Sequence, residues 1–161
     1  MINSYEVRNL RETDVEDIYK LCSGNELYYR YCPPAVMKES ILGDMNALPP
    51  DKSKEDKHYI GFYDKDKLIA VMDLIDGFPD DKTAFIGFFM TDTSVQNNGV
   101  GSRIITELCD ELYSRGFSRV MLGWVNGNSQ AEHFWKKNGF AETGEISETE
   151  EYTVVLAQRK L

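Results

Sequence analysis

Histidine and cysteine are both scarce in this chain. Its 161 residues include two histidines and three cysteines, and the cysteines are widely spaced at Cys22, Cys32 and Cys109. An odd cysteine count without a Cys-x-x-Cys pair argues against a disulfide framework or structural zinc and favours reduced thiols. We therefore expect a cytoplasmic protein that holds no metal.

Long apolar runs and an excess of positive charge are also missing. No segment approaches the roughly 18 apolar residues that a membrane span needs. Lys and Arg total 18 against 27 Asp and Glu, which leaves a net charge of −9. Because binding to nucleic acid or anionic lipid requires clustered cations, this balance argues against both. Cationic small molecules and basic peptides are the partners that it favours.

The length fits one domain, since a typical domain has roughly 100–200 residues. Hydrophobic residues make up 42% of the chain and charged residues 28%, which is ordinary for a globular protein. Neither a repeat nor a low-complexity tract interrupts it, and the polar stretch 49–56 is short enough to be a surface loop. We predict a single domain over residues 1–161.

In the first half, apolar spacing and turn residues predict one strand, two helices and three further strands. The first helix should begin at a capping box with Thr13 as N-cap and Glu16 three residues later. Short polar turns between the three strands are typical of an antiparallel meander, and the third strand is apolar on both faces and should be central. The predicted strands cover 5–10, 58–63, 67–75 and 83–91, and the helices cover 13–22 and 35–48.

The second half has the rhythm of a βαβ crossover. An amphipathic helix ends at Gly116, a strand follows over Arg119–Val125, and a second capping box from Ser129 to Glu132 opens a helix that ends near Gly139. A last strand is predicted at 151–158 and a further one at 141–146. The predicted fold class is mixed α/β with six to seven strands.

A glycine-containing loop is the most informative motif in the chain. It lies between a buried strand and an amphipathic helix. Two glycines let the backbone approach a ligand closely, and the helix start directs unpaired N–H groups and a positive dipole end at that ligand. This arrangement predicts a cradle for an anion such as pyrophosphate. Its residues are Gln96, Asn97, Asn98, Gly99, Val100, Gly101 and Ser102.

Other glycine loops fit these residues less well. A Walker loop requires Gly-Lys-Ser/Thr, but Ser102 and Arg103 follow Gly101 here. The dinucleotide fingerprint requires a third glycine, which is absent at Ile104, and three antiparallel strands should not precede it. A plain strand-to-helix turn is the remaining alternative.

The pattern Gln-x-x-Gly-x-Gly after a buried strand resembles the acyl-CoA-binding signature of the GNAT N-acetyltransferase superfamily. Asn128 after the next strand and the helix ending in Gly139-Phe140 extend the resemblance to nearly the whole chain. It implies a mostly antiparallel central sheet, about four flanking helices and a splayed parallel strand pair that holds the cofactor. It also implies transfer of an acetyl group from acetyl-CoA to a primary amine, by direct attack on the thioester.

The resemblance implies roles for the cofactor site. The backbone of the strand before the loop would pair with the pantetheine arm, at Phe89, Met90 and Thr91. The loop amides from Gln96 to Ser102 would hold the pyrophosphate. Asn128 would hydrogen-bond the pantetheine arm, which is compatible with capping a helix. Trp135 would pack either against the cofactor or in the core.

Catalytic groups are harder to assign. Many relatives have a tyrosine proton donor where this chain has Trp135, whose indole N–H is a donor but not a usable acid. Some relatives carry a glutamate base at the position of Gly123 or of Phe85, and neither is acidic here. The remaining candidates are Asp92, His133 and Tyr152. Each has a structural alternative, which is respectively a turn, a packed helix surface and a strand position.

The acceptor would be a small-molecule or peptide amine. An aromatic stretch with Tyr28, Tyr29 and Tyr31 links the first two helices, and in the family such a link borders the acceptor pocket. These rings could contact an ammonium group or simply pack under a loop. A glutamate-rich segment over 142–151 would either attract cationic amines or only add solubility. The alternative function is a catalytically silent acyl-CoA sensor. The sequence does not indicate the oligomeric state, although homodimers are common in the family.

Overall fold

The computed structural model describes residues 4–161, which form one seven-stranded sheet with helices on both faces. Five α-helices are present in these residues, one more than the sequence predicts. The strands are β1 (Glu6–Asn9), β2 (Lys57–Asp64), β3 (Lys67–Asp76), β4 (Thr83–Thr91), β5 (Arg119–Val125), β6 (Ala141–Glu148) and β7 (Thr153–Lys160). The helices are α1 (Val15–Ser23), α2 (Glu26–Tyr31), α3 (Lys38–Asn46), α4 (Val100–Ser114) and α5 (Ser129–Lys137).

The strand order is β1-β2-β3-β4-β5-β7-β6, so β4 is the middle strand, as its apolar character predicts. Every neighbouring pair is antiparallel except β4 and β5, which run parallel. The connection between these two strands is α4, which is the crossover that parallel strands require. The mixed fold class and the splayed parallel pair are confirmed.

The parallel pair separates soon after it forms. Pairing between β4 and β5 is limited to three residue pairs and stops at Phe85 and Met121. Just beyond, a bulge inserts Gly87 into β4, because Asp73 pairs with Phe88 while the next residue of β3 pairs with Ile86. A bulge bends its strand and increases local twist. The two strands therefore enclose a wedge that opens toward their carboxyl ends.

Arg119 holds the closed end of this wedge together. Its Nε donates to Thr83 Oγ1 of β4 at 2.7 Å, and its other two nitrogens donate to Asp80 Oδ2 and Gln158 Oε1 at 2.8 Å each. One guanidinium thus bridges β4, the turn before β4, and β7. Charge-assisted hydrogen bonds of this kind are stronger than neutral ones.

The helices divide the core between the two faces of the sheet. Ile18 and Leu21 of α1 and Ile41 of α3 pack on one face with apolar residues of β2, β3 and β4. Residues of α4 and α5, such as Ile104 and Trp135, pack on the other face with β3, β4, β5 and β7. The wedge therefore has α1–α3 on one side and α4–α5 on the other.

Two predicted features of the first helices are wrong. Asp14, and not Thr13, precedes the first residue of α1, because its Oδ2 accepts from the Arg11 N–H at 2.8 Å and closes a short 3₁₀ turn. The helix predicted over 35–48 begins only at Lys38, where the Ser40 hydroxyl accepts from the Met37 N–H. The aromatic stretch after α1 is itself a short helix, α2, which the sequence did not predict.

Candidate active site

A cleft of about 580 Å³ fills the wedge between β4 and β5. Its walls are the carboxyl halves of both strands, the glycine loop, the first turns of α4 and α5, and parts of α2 and β7. Since α2 lies on one face of the sheet and α5 on the other, the cleft passes through the sheet. Two molecules that enter from opposite faces could meet inside it.

The glycine loop turns sharply before α4. Asn97 and Gly99 have φ values of +64° and +77°, in the left-handed region that favours glycine and tolerates asparagine. The first bond of the helix runs from Arg103 N–H to Gly99 O at 3.0 Å. The N–H groups of Val100 and Gly101 therefore have no helical acceptor. This backbone is suited to bind an anion, as the sequence predicts.

The loop is tied to the end of β4 by two amide side chains. Gln96 Nε2 donates to Thr91 O at 3.2 Å and to Asn25 Oδ1 at 2.6 Å. Asn25 Nδ2 donates to the same Thr91 carbonyl at 3.1 Å. The Gln of the motif thus has a structural role, because it fastens the loop to the strand and to the segment between α1 and α2.

The backbone of β4 exposes some of its polar groups to the cleft. Asp92 N–H donates to Ile69 O of β3 at 2.8 Å. Because these groups alternate in direction along an antiparallel pair, those of Met90 also face β3, whereas those of Phe89 and Thr91 face the cleft. The Thr91 carbonyl is already occupied by side chains. Phe89 is therefore the residue there that directs both an available N–H and an available C=O into the cleft.

An aromatic cluster forms the wall on the α5 side. Phe134 stacks on Phe89 with ring centroids 6.2 Å apart, and its edge meets Trp135 at 4.9 Å. Trp135 also meets Phe140 at 5.2 Å. Trp135 is only 8% exposed and belongs to the core while lining the cleft. The two alternatives drawn for it from the sequence are therefore compatible.

Asn128 caps α5 and borders the cleft. The predicted N-cap, Ser129, is the first residue of the helix instead, because Asn128 Oδ1 accepts from the Ala131 N–H at 3.1 Å. Asn128 is 5% exposed. Its carbonyl oxygen is used by the cap, which leaves its amide nitrogen for a ligand in the cleft.

Trp124 was missed by the sequence analysis. It lines the cleft from β5, and its buried Nε1 has no hydrogen-bond partner among residues 4–161. A buried donor without a partner costs about 1–3 kcal/mol. Periodicity alone could not have identified it, because an alternating Trp on a strand is typical of a core residue.

The three catalytic candidates differ in their surroundings. Asp92 is occupied by Ser94, whose N–H and hydroxyl donate to Oδ1 at 2.9 and 2.5 Å. Partial burial would raise the pKa of Asp92, but the hydrogen bonds from Ser94 outweigh burial and hold that pKa below its usual value. His133 lines the outer cleft and is exposed.

Tyr152 lies on the opposite side of the cleft, near the start of β7. Interaction with the Cys32 side chain, together with partial burial, raises the pKa of Tyr152 to about 12. The phenol therefore remains protonated at all ordinary pH values. Cys32 lines the same part of the cleft.

The three predicted acceptor tyrosines have different surroundings, although the rings of Tyr28 and Tyr29 meet edge-on with centroids 4.9 Å apart. Tyr28 lines the cleft, and its ring meets Phe88 edge-on at 5.8 Å. Burial and the nearby Cys32 thiol raise the pKa of Tyr28 well above its ordinary value. Tyr29 packs into the core on the α1 side. Tyr31 lies beside the turn at Gly127, outside the lining of the cleft.

Residues 4–161 contain no group of three or more His, Cys, Asp or Glu residues that could hold a metal ion. Within the same range, no helix is both long and apolar enough to cross a membrane. The candidate site is therefore described by its backbone amides, aromatic rings and a few polar side chains.

The profile of the acetyltransferase (GNAT) family matches residues 15–140. The chain therefore belongs to the GNAT acetyltransferase family, as the loop and the order of elements predict. No curated protein is significantly similar to it in sequence.

Several solved structures share the fold at low identity. An acetyltransferase from Thermus thermophilus is 14% identical, with a TM-score of 0.78 and 99% of both chains covered. PaiA N-acetyltransferase from Thermoplasma acidophilum, in complex with coenzyme A, is 17% identical, with a TM-score of 0.72 over 99% of this chain and 100% of that chain. Spermidine N-acetyltransferase from Vibrio cholerae, in complex with CoA and spermine, is 19% identical, with a TM-score of 0.72 over 98% of this chain and 96% of that chain.

Proposed function

We propose that the protein transfers an acetyl group from acetyl-CoA to a primary amine, by direct attack of the amine on the thioester. The observation that carries this proposal is the cleft, which passes through the sheet between β4 and β5 with an anion-binding loop at one end. Such a passage lets the two substrates approach each other from opposite faces. Family membership supports the same reaction class.

The residues present fit acetyl-CoA. The amides of the loop from Gln96 to Ser102 would bind the pyrophosphate. The backbone of Phe89 would pair with the pantetheine arm, and Asn128 and the unpartnered N–H of Trp124 would meet its carbonyl oxygens. Acetyl-CoA supplies the activated acyl group. Two of the similar structures are described as bound to coenzyme A or CoA.

Tyr152 is the proton donor that the surroundings favour. It lies in the cleft on the acceptor side, and its pKa of about 12 keeps the phenol protonated at ordinary pH. A protonated phenol can donate to the departing thiolate, which Trp135 cannot do. Asp92 is less suited because Ser94 occupies it. His133 is less suited because it is exposed at the outer rim.

The acceptor that fits this face is an amine that carries positive charge. Tyr28 and Tyr152 offer aromatic faces to an ammonium group. Glu148 at the end of β6 and Glu150 and Glu151 in the turn that follows are all exposed near Tyr152 in the chain. A similar structure is that of a spermidine N-acetyltransferase, which makes a polyamine a suitable first acceptor to test.

A catalytically silent acyl-CoA sensor remains the second candidate. The observation in its favour is Trp135, which stands where many relatives have the proton-donating tyrosine. A sensor would bind acetyl-CoA and release no thiol in the presence of amines.

The deciding experiment combines calorimetry with a thiol-release assay. We expect wild-type protein to bind acetyl-CoA and to release free CoA with at least one of three amines: spermidine, a lysine-containing peptide or a peptide with a free N-terminal alanine. Binding without release from a wide amine panel would favour the sensor. Absence of binding would contradict both candidates.

A further inference from the structure

A buried acid–base pair lies directly beside the cleft at the deep end of the wedge. Asp73 of β3 is 16% exposed and Lys57 of β2 is 6% exposed, and Lys57 Nζ donates to Asp73 Oδ2 at 3.0 Å. Lys57 Nζ also donates to Ala47 O at 2.8 Å. The lysine is thus well satisfied, whereas the carboxylate accepts only this one bond from the part of the chain that the structure describes.

Asp73 has unused capacity for hydrogen bonds. An ionised carboxylate can accept about four hydrogen bonds. Its Oδ1 is buried and has no partner among residues 4–161. A need to neutralise Lys57 explains why an acid lies here, but it does not explain why one oxygen stays unpartnered.

Gly87 lies between this carboxylate and the cleft. The glycine lines the cleft and is exposed, and a Cβ built on it would lie 3.1 Å from Asp73 Oδ2. Its φ is not in the left-handed region, so the backbone does not require glycine there. Glycine within a strand often marks a place where a ligand approaches closely. The missing side chain opens a path from the cleft to Oδ2.

The position along β4 suits the reacting atoms. Gly87 is two residues beyond Phe85, where pairing with β5 ends, and two residues before Phe89. Two residues of strand span about 6–7 Å. A pantetheine arm paired with Phe89 and directed toward the closed end would therefore bring its thioester near Gly87.

We infer that Asp73, reached across Gly87, binds the ammonium group of the acceptor and removes the proton that prevents attack. This inference rests on the proposed function and assigns a base that no acidic residue on β4 or β5 supplies. Asp73 Oδ2 accepts one proton from the ammonium, and the neutral amine then forms the C–N bond as the C–S bond breaks. As the amide forms, Tyr152 donates its proton to the CoA thiolate, and its oxygen accepts the second proton leaving the nitrogen. Asp73 returns its proton to solvent.

The electrostatic surroundings agree with a base. Burial raises the pKa of Asp73 above its usual value, although the hydrogen bond from Lys57 opposes this shift. The charge of Asp73 in turn helps to raise the pKa values of two neighbouring groups, Tyr59 of β2 and Asp44 of α3. From β4 it faces Gly87 and the paired Phe88, which carry no charge.

The first test compares wild type with Asp73→Asn across pH 6.5–9.5, using spermidine and the lysine-containing peptide. We expect kcat/KM to fall about 100-fold at pH 7. The deficit should then shrink by about tenfold per pH unit, because free amine becomes available without a base as pH approaches an ammonium pKa of about 10.4. A deficit that stays constant with pH would mean that Asp73 is only structural, and would overturn the inference.

Two more variants guard against misfolding. Gly87→Ala keeps both charged residues and fills the path with a methyl group. We expect kcat/KM for the amine to fall about tenfold, because positioning of the amine is disturbed. The affinity for acetyl-CoA should not change. Asp76→Asn is the matched control, since Asp76 is also a β3 acid with an unpartnered Oδ1 but binds His58 and Arg115 away from the cleft. It should keep wild-type kcat/KM.

Normal amine kinetics in Gly87→Ala would overturn the inference while leaving the proposed function standing. Failure of wild-type protein to release CoA with every amine would overturn the proposed function, and the inference with it. The two failures are therefore distinguishable.

Discussion

Gly101 lies against the ring of Phe134, so closely that a Cβ at position 101 would come within 3.0 Å of the ring carbon Cε1. The same ring stacks on Phe89 of β4 and touches Trp135. The second glycine of the loop is therefore needed for packing between α4 and α5 as well as for access of a ligand to the backbone. Its replacement should disturb both.

The first prediction concerns this glycine. Gly101→Ala should weaken acetyl-CoA binding about tenfold by displacing Phe134, which is about 1.4 kcal/mol. Gly101→Asp adds a carboxylate beside the pyrophosphate site and should weaken binding by about 3 kcal/mol or more. Calorimetry measures both. Gly43→Ala is the control, because a Cβ there meets nothing within 4 Å. Wild-type affinity in Gly101→Asp would contradict the assignment of the loop.

The second prediction separates binding from stability at Trp124. Trp124→Phe removes the unpartnered N–H while keeping an aromatic ring. Because burying that N–H costs about 1–3 kcal/mol, its loss should offset the smaller ring, and the free energy of unfolding should change by less than about 1 kcal/mol. Affinity for acetyl-CoA should fall about tenfold. A large loss of stability with unchanged affinity would show that the indole serves only the core.

The third prediction concerns the proton donor. Tyr152→Phe should lower kcat about 100-fold without changing acetyl-CoA affinity. The pKa of Tyr152 is raised to about 12, and an acid acts only while protonated, so kcat should show no descending limb below about pH 11. Trp135→Tyr should leave turnover equal or higher. A descending limb near pH 10 that persists in Tyr152→Phe would point to another phenol.

The fourth prediction concerns the acidic turn. Attraction between exposed charges weakens beyond about 10 Å at 0.1 M salt. Added salt should therefore lower kcat/KM for spermidine more than for a singly charged amine. Replacing Glu148, Glu150 and Glu151 with Gln should flatten this dependence, whereas the same change at Glu12 and Glu39, which are exposed before α1 and in α3, should not. Equal salt effects on all amines would exclude the turn from substrate choice.

Strong local signals made much of the fold predictable. The bounds of β4 and β5 agree with the predicted ranges 83–91 and 119–125, because each is an apolar run closed by turn residues. The further strand predicted at 141–146 exists as β6 and extends to Glu148. Helix starts were less predictable, since the N-cap positions of α1 and α5 are Asp14 and Asn128, and not the neighbouring Thr13 and Ser129.

The arrangement of the glycine loop could be predicted, but much of the opposite side of the cleft could not. Loop, strand and helix are adjacent in sequence, so their contacts follow from order alone. Gly87 lies close to Asp73 because a bulge shifts the register of β4 against β3, and Tyr28 lines the cleft from α2, a short helix that residue spacing does not predict. Such placements depend on register and on long-range packing, which residue spacing does not encode.

Three residue pairs join β4 to β5, fewer than join any other neighbouring strands in residues 4–161. The sheet therefore consists of two parts, β1–β4 and β5–β7, which meet along a short contact. Arg119 holds them together at one end of that contact. A pantetheine arm bound in the gap would pair with the backbone like an eighth strand and stabilise the two parts against each other. Release of CoA at the end of each catalytic cycle would remove this stabilisation. Amide hydrogens that face the gap should therefore exchange with solvent fastest between turnovers.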